Sequence, residues 1–157
     1  MTPLEVKAAI EELLHAYVQC IDDNKLEAWP DFFSDPCLYK IISRENHDRD
    51  LTAPVIYCDS KGMLHDRVGA HRHANVYEPH FYRHLVSNTR ILKCEQEVYT
   101  VQSNYAVFQT KLDGDTQIYN VGRYLDKVVF EHGAPKFKEK LVIFDTLRIP
   151  TLLVTPI

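Results

Sequence analysis

The chain has 157 residues, of which 45% are hydrophobic and 25% charged, close to the commonest size for one compact domain around one apolar core. Its net charge of −4 argues against the concentrated basic surface that nucleic-acid binding needs, and it holds no run of 18 apolar residues that could span a membrane. The first twenty residues are broken by charges and lack a signal-peptide pattern, so the cytoplasm is the expected compartment, with residues 1–157 forming a single domain.

The first element is announced by its cap. Thr2 supplies a hydroxyl, Pro3 a ring suited to the first helical position, and Glu5 an acid placed to satisfy an orphan backbone donor. Apolar residues then recur at Val6, Ile10, Leu13, Leu14, Tyr17, Val18 and Ile21, the period of a helix with one face on a core. "DDNK" breaks this helix, and Leu26, Trp29, Phe32 and Phe33 form a second, shorter stripe that Pro30 ends or tightens.

"CLYKIIS" from Cys37 to Ser43 is rich in strand formers, and "RENHDRDLTAP" after it reads as a polar loop. "VIYC" is a short strand. Ser60 caps a predicted third helix from Lys61 to Asn75, with Met63, Leu64, Val68 and His71 on one side. The four cysteines, Cys20, Cys37, Cys58 and Cys94, form no Cys-x-x-Cys pair and read as small buried apolar residues.

From Phe81 onward the pattern changes to four long strand-like runs, "HFYRHLVSNTRILKCE", "EVYTVQSNYAVFQTKL", "TQIYNVGRYLDKVVFE" and "KFKEKLVIFDTLRI". Turn signals at "LDGDT" and "HGAP" make these an antiparallel meander. A two-residue turn at Asp113-Gly114 would set Val107 against Asn120 and Val101 against Asp126. A three-residue loop instead aligns Tyr99, Val101, Tyr105 and Val107 with Val129, Lys127, Arg123 and Val121, and this register is preferred because a one-residue slip moves a whole side-chain set to the other face. "KFKEK" at Lys136–Lys140 reads as the solvent face of an edge or outer strand. The aliphatic "DTLRIPTLLVTPI" reads as a tail that packs against another surface. Helices first and a long curved antiparallel sheet afterwards predict an α+β cone with helices covering one sheet face.

Five of the eight histidines fall in "HDRVGAHRHANVYEPHFYRH", from His65 to His84. No cysteine is followed two or three residues on by a histidine, which excludes an iron-sulfur centre of cysteines and histidines, and His80 and His84 lack the glutamate of a zinc-protease helix. A non-haem iron triad could use His80, His84 and a distant acid, but nothing places the third ligand, and Arg67, Arg72 and Arg83 oppose a cation. No serine lies in a Gly-x-Ser-x-Gly turn. An acid and base inside the cone is a further alternative, with Tyr39, His84, Tyr105 and Asp126 as candidate lining residues for an isomerase or dehydratase. Framework and interface roles are the ordinary use of such side chains.

Three stretches together resemble the small, or beta, subunit of aromatic-ring-hydroxylating oxygenases, whose enzymes use a Rieske cluster and a mononuclear iron. These are "AYVQCIDDNKLEAWPDFFSDPCLYKIISREN" (Ala16–Asn46), "CDSKGMLHDRVGAHRHANVYEPHFYRHLVSNTRI" (Cys58–Ile91) and "GRYLDKVV" (Gly122–Val129). The pattern is most similar to subunits of oxygenases that act on aromatic carboxylates, salicylate 5-hydroxylase first, with terephthalate and anthranilate dioxygenases close behind.

The resemblance implies a cone-shaped NTF2-like or SnoaL-like fold, and a non-catalytic chain in an assembly of three large and three small subunits with a small-subunit trimer. It places the Rieske cluster and the mononuclear iron in the large subunit, which a ferredoxin and a reductase supply with electrons. No catalytic, cofactor-binding or metal-ligating residue carries over to this chain. Tyr77, Phe81, Tyr82 and Arg83 have the residue types of an obligate interface.

Overall fold

A computed structural model describes residues 1–74, 79–146 and 153–157. Helix α1 (Pro3–Asp22) begins with the predicted capping box: the Thr2 hydroxyl accepts from the Glu5 N–H at 3.2 Å, and the Glu5 carboxylate accepts from the Thr2 N–H at 2.7 Å. All seven predicted apolar positions of α1 are buried. The shorter stripe winds into a 3-10 helix (Leu26–Phe32) that buries Leu26, Trp29 and Pro30, and Phe33 opens strand β1 (Phe33–Ser43).

The polar stretch after β1 is not wholly a loop. It opens with α2 (Arg44–Asp48), because the Ser43 hydroxyl accepts from the Asn46 N–H and caps a single turn. Strand β2 (Ile56–Cys58) follows, then α3 (Lys61–His73), capped as expected by Ser60. Leu64, Val68 and His71 face inward while Met63 stays exposed, and the expected helix end at Asn75 lies outside the described residues. Cys20, Cys37 and Cys58 are buried, but Cys94 is exposed on the far end of β3, where the strand carries few inward contacts.

The four long runs form β3 (His80–Glu95), β4 (Val98–Lys111), β5 (Thr116–Glu131) and β6 (Ala134–Phe144). The sheet order is β2-β1-β6-β5-β4-β3, antiparallel throughout except for the parallel β1/β6 pair. Helix α1 packs on β3 and β6, and α3 on β1 and the 3-10 helix, so these two helices cover one face of the curved sheet in the expected α+β cone. Among the described residues, no helix is long and apolar enough to cross a membrane.

The preferred β4/β5 register is overturned. Val107 faces Asn120 and Val101 faces Asp126, as the two-residue alternative required. The loop does hold three residues, with the Lys111 N–H donating to the Asp115 carbonyl around Leu112, Asp113 and Gly114. Tyr119 is an extra residue, bulged between the Val107/Asn120 and Phe108/Ile118 pairs, and it resets the phase of everything beyond it. Asn120 and Asp126 therefore point into the core. That arrangement is tolerated because each meets a partner there.

The reading of "KFKEK" as an edge is likewise corrected. β6 lies between β1 and β5, and Lys138 is bulged between the Lys127/Glu139 and Val128/Phe137 pairs. Phe137 and Lys140 consequently share the inner face, and the Lys140 side chain is fully buried.

Arg72 of α3 ties that helix to the turn after α1. Its guanidinium donates to both carboxylate oxygens of Glu27, at 2.7 and 3.0 Å, and to the Asn24 side chain and carbonyl. These bonds hold the Glu27 carboxyl down at about 2. A lowered folded value contributes stability above the ordinary carboxylate range that disappears as the pH falls from about 4.5 toward 2. Arg72→Met should flatten that part of the acid-unfolding curve, followed by circular dichroism, and leave the neutral-pH fold intact.

Candidate functional site

The four residues proposed to line an acid–base pocket are all inside the cone, but they do not converge. Tyr39 donates its hydroxyl to the Ile157 carbonyl at 3.0 Å and accepts from the Ile157 N–H. Tyr105 donates to Asn120 Oδ1 at 2.5 Å and stacks on Tyr124 with ring centroids 4.5 Å apart. Asp126 accepts from Lys140 Nζ at 3.1 Å. Six residues of β5 separate Asn120, in the row that holds His84, from Asp126, which is about 20 Å measured along a strand. His84 and Asp126 are no dyad.

Lys140 and Asp126 form a closed unit of their own. The ammonium lies 3.6 Å from the Tyr124 ring centroid, 4.4 Å from Phe137 and 4.6 Å from Tyr17, so three aromatic faces and one carboxylate surround it. Burial pushes the Asp126 carboxyl up to about 6 against the opposing pull of Lys140, and burial lowers Lys140. The same burial raises the Tyr17, Tyr105 and Tyr124 phenols well above their ordinary value, so all three stay neutral, and Tyr17 and Tyr105 act as hydrogen-bond donors rather than bases.

A buried histidine–aspartate pair does exist, with a different aspartate. Asp22, the last residue of α1, accepts from the His84 backbone N–H at 2.9 Å and meets His84 Nδ1 at 2.5 Å. Both side chains are almost wholly shielded. The signal for Asp22 was present in the sequence: Asp22 and Asp23 end a helix with negative charge, against its dipole, and such an acid needs a donor from elsewhere. Asp22→Ala leaves two buried donors unmatched and should lower stability by about 2–3 kcal/mol. Asp22→Asn, which keeps one acceptor oxygen, should lose less, and thermal melts of both variants check this.

His80 and His84 do share the inward face of β3, with Tyr82 between them. His80 lies against Tyr82 at 4.6 Å between ring centroids, and Asp22 occupies Nδ1 of His84. Among the described residues, no three side chains of His, Cys, Asp and Glu converge in a way that could hold a metal ion. A cavity of about 110 Å³ is lined by Asp22, Asn24, His71, His80, Tyr82 and Thr155, little more than the room a few waters need.

The outward face of β3, β4 and β5 has a different character. Phe81, Leu85 and Ile118 are each about 60% exposed; Leu85, Ala106 and Val121 form one apolar row and Phe108 and Ile118 the next, with Arg83 opposite Phe108 and Phe81 beyond it opposite Thr110. Phe81 and Arg83 are thus exposed as an interface role requires, whereas Tyr82 belongs to the core, because alternate residues of a strand point to opposite faces. Tyr77 lies outside the described residues.

The sequence profile of the family described as ring hydroxylating beta subunit matches residues 17–151. The chain is 41% identical over 145 residues to the anthranilate 1,2-dioxygenase small subunit of Burkholderia cepacia, covering 92% of this chain and 90% of that one. It is 33% identical over 142 residues to a beta subunit of the terminal oxygenase component of terephthalate 1,2-dioxygenase from a Comamonas species, covering 90% and 92%. Among solved structures, a chain assigned as the beta subunit of an aromatic-ring-hydroxylating dioxygenase from Novosphingobium aromaticivorans superposes with a TM-score of 0.90 at 48% identity, over 98% of both chains.

Proposed function

The chain belongs to the family of ring-hydroxylating beta subunits, and on that premise we propose that it is the structural small subunit of an oxygenase that hydroxylates an aromatic carboxylate. The proposed substrate is a benzoate carrying an ortho heteroatom, as in anthranilate or salicylate, ahead of terephthalate. The single observation that carries this is the 41% identity, over nine-tenths of the chain, to an anthranilate dioxygenase small subunit, against 33% to the terephthalate counterpart.

On this reading no residue of the chain touches the reacting atoms. The large subunit holds the Rieske cluster and the mononuclear iron, and a ferredoxin and reductase feed electrons to it. The outward patch around Phe81, Leu85 and Ile118 is contact surface within a cytoplasmic assembly of three large and three small chains. Its composition supports this, since exposed aromatic and aliphatic side chains beside arginine match the core of an obligate interface.

The test is co-expression with a large subunit of such an oxygenase from the same organism, followed by size-exclusion chromatography, iron analysis and turnover of anthranilate, salicylate and terephthalate. The expected result is a brown complex that contains both chains, while the small chain alone is colourless and inactive. Co-purification of no large subunit would overturn the reading.

A second reading rests on the buried Asp22–His84 pair, which a free-standing cone-fold isomerase or dehydratase could use as acid and base. It requires turnover by the isolated chain, lost in His84→Ala with the fold retained. It is the weaker reading, because the partner of His84 is spent on the strand's backbone N–H as well as on the ring.

A further inference from the structure

Residues Leu153–Ile157 lie in the cone without joining its sheet, and all five are buried. Their polar contacts are made by cone side chains, most of them reaching the segment's backbone. Tyr17 and Tyr39 both donate to the Ile157 carbonyl oxygen, at 3.1 and 3.0 Å, and the Tyr39 hydroxyl accepts the Ile157 N–H at 3.1 Å. Arg67 Nη2 donates to the Leu153 carbonyl at 3.2 Å, and His71 Nε2 meets the Thr155 hydroxyl at 2.9 Å.

The donors are held in place by packing that does not involve the segment. Tyr17 makes edge contacts with Phe32, Phe33, Tyr124 and Phe137, and Tyr39 with Trp29 and Phe33, at centroid distances of 5.1–6.5 Å. Arg67 and His71 stand one turn apart on α3. A site whose hydrogen-bonding groups are fixed by other neighbours is organised before its occupant arrives.

We propose that the cone is a preformed receptor for a short aliphatic peptide without charged side chains, and that Leu153–Ile157 is its ligand in cis, a strap that docks and releases as a unit. The aliphatic side chains of Leu153, Val154, Pro156 and Ile157 supply the burial, and the two phenols with Arg67 read the peptide backbone. Because a docked ligand stabilises the folded state by mass action, strap and cone are linked like any ligand and receptor. Thr155 also walls the small cavity beside Asp22 and His80, so release of the strap uncovers that cavity.

The experiment uses a chain ending at residue 152 and a synthetic acetylated peptide of residues 153–157. The short chain is expected to keep its far-ultraviolet circular dichroism and melt at least about 8 °C lower. Titration with the peptide should raise the melting temperature saturably at one peptide per chain, and Tyr39→Phe in the short chain should weaken peptide binding about tenfold. A folded short chain that shows no shift with excess peptide overturns the proposal.

Should the short chain not fold, hydrogen exchange on the full-length protein decides. In a Tyr17→Phe/Tyr39→Phe chain the amides of Val154, Thr155 and Ile157 are expected to exchange at least about tenfold faster than in the parent, with β5 and β6 unchanged. Equal loss of protection in the strap and in those strands overturns the proposal, since the segment would then be an inseparable part of the core.

Discussion

Asp126→Leu, with Lys140 left in place, is expected to lower the unfolding free energy by about 3–5 kcal/mol, because it strands a fully buried ammonium without its counter-charge. For a chain of this length the melting temperature falls by about 10–15 °C. The double variant Asp126→Leu/Lys140→Met should recover most of that loss, or exceed the parent, since apolar residues of similar volume face no desolvation there.

Burial pushes Asp126 up to about 6, which shows that the folded protein takes up a proton more readily at this carboxyl than the unfolded chain does. Stability from this group is therefore fully present below its ordinary value of 3.8 and is lost as the pH rises through about 6. Lys140→Met alone follows from the same sign: its destabilisation should be small at pH 4, where Asp126 is protonated, and full at pH 8. Chemical denaturation of the parent, both single variants and the double at those two pH values closes the cycle. Additive losses in the double variant would show that the two groups are not coupled.

Gly122→Ala carries the other large expected effect. Gly122 pairs with Tyr105 on β4 and Phe144 on β6, and a Cβ at this position would lie 2.0 Å from the Ile143 carbonyl oxygen and 2.8 Å from the Phe144 Cα. Both are backbone atoms of the neighbouring strand, so no rotamer change relieves the clash and the β5/β6 ladder must separate locally. A loss of about 3 kcal/mol or more is expected, at the upper end for overpacking, with a matching fall in soluble yield.

Gly69 provides the control. It sits within α3, where an added methyl group would meet nothing within 4 Å, so Gly69→Ala should gain about 0.5–1 kcal/mol from lost flexibility of the unfolded chain. Thermal melts of the two variants should move in opposite directions. Equal tolerance at both sites would mean that β5 and β6 are not held this close.

The site is legible in the sequence only in part. Alternation along a strand assigns faces locally, and it places His84 and Tyr39 in the interior, where the structure holds them. The partner of Asp22 lies 62 residues away, and nothing near that aspartate in the chain announces a histidine. Tight turns behave the same way: Gly114 and Gly133 mark two hairpins, but the third turns at Gln96 and Glu97, both at positive φ with no glycine to signal it. Of the tail expected to pack against another surface, Leu153–Ile157 lie against this chain's own cone, and residues 147–152 fall outside the described residues.

What the amino-acid sequence determined by itself was the set of elements: the capped amphipathic helix, the four long strands, the α+β order, and the family that the three stretches resemble. These follow from periodicities and caps that act over a few residues. Only the tertiary structure decided which polar side chains turn inward. One bulged residue, Tyr119 in β5 or Lys138 in β6, inverts the faces of everything beyond it. Whether the core then accepts Asn120, Asp126 or Lys140 depends on partners supplied by other strands. Local hydrophobic pattern argues against burying those residues, and only the fold brings the partner that reverses the balance.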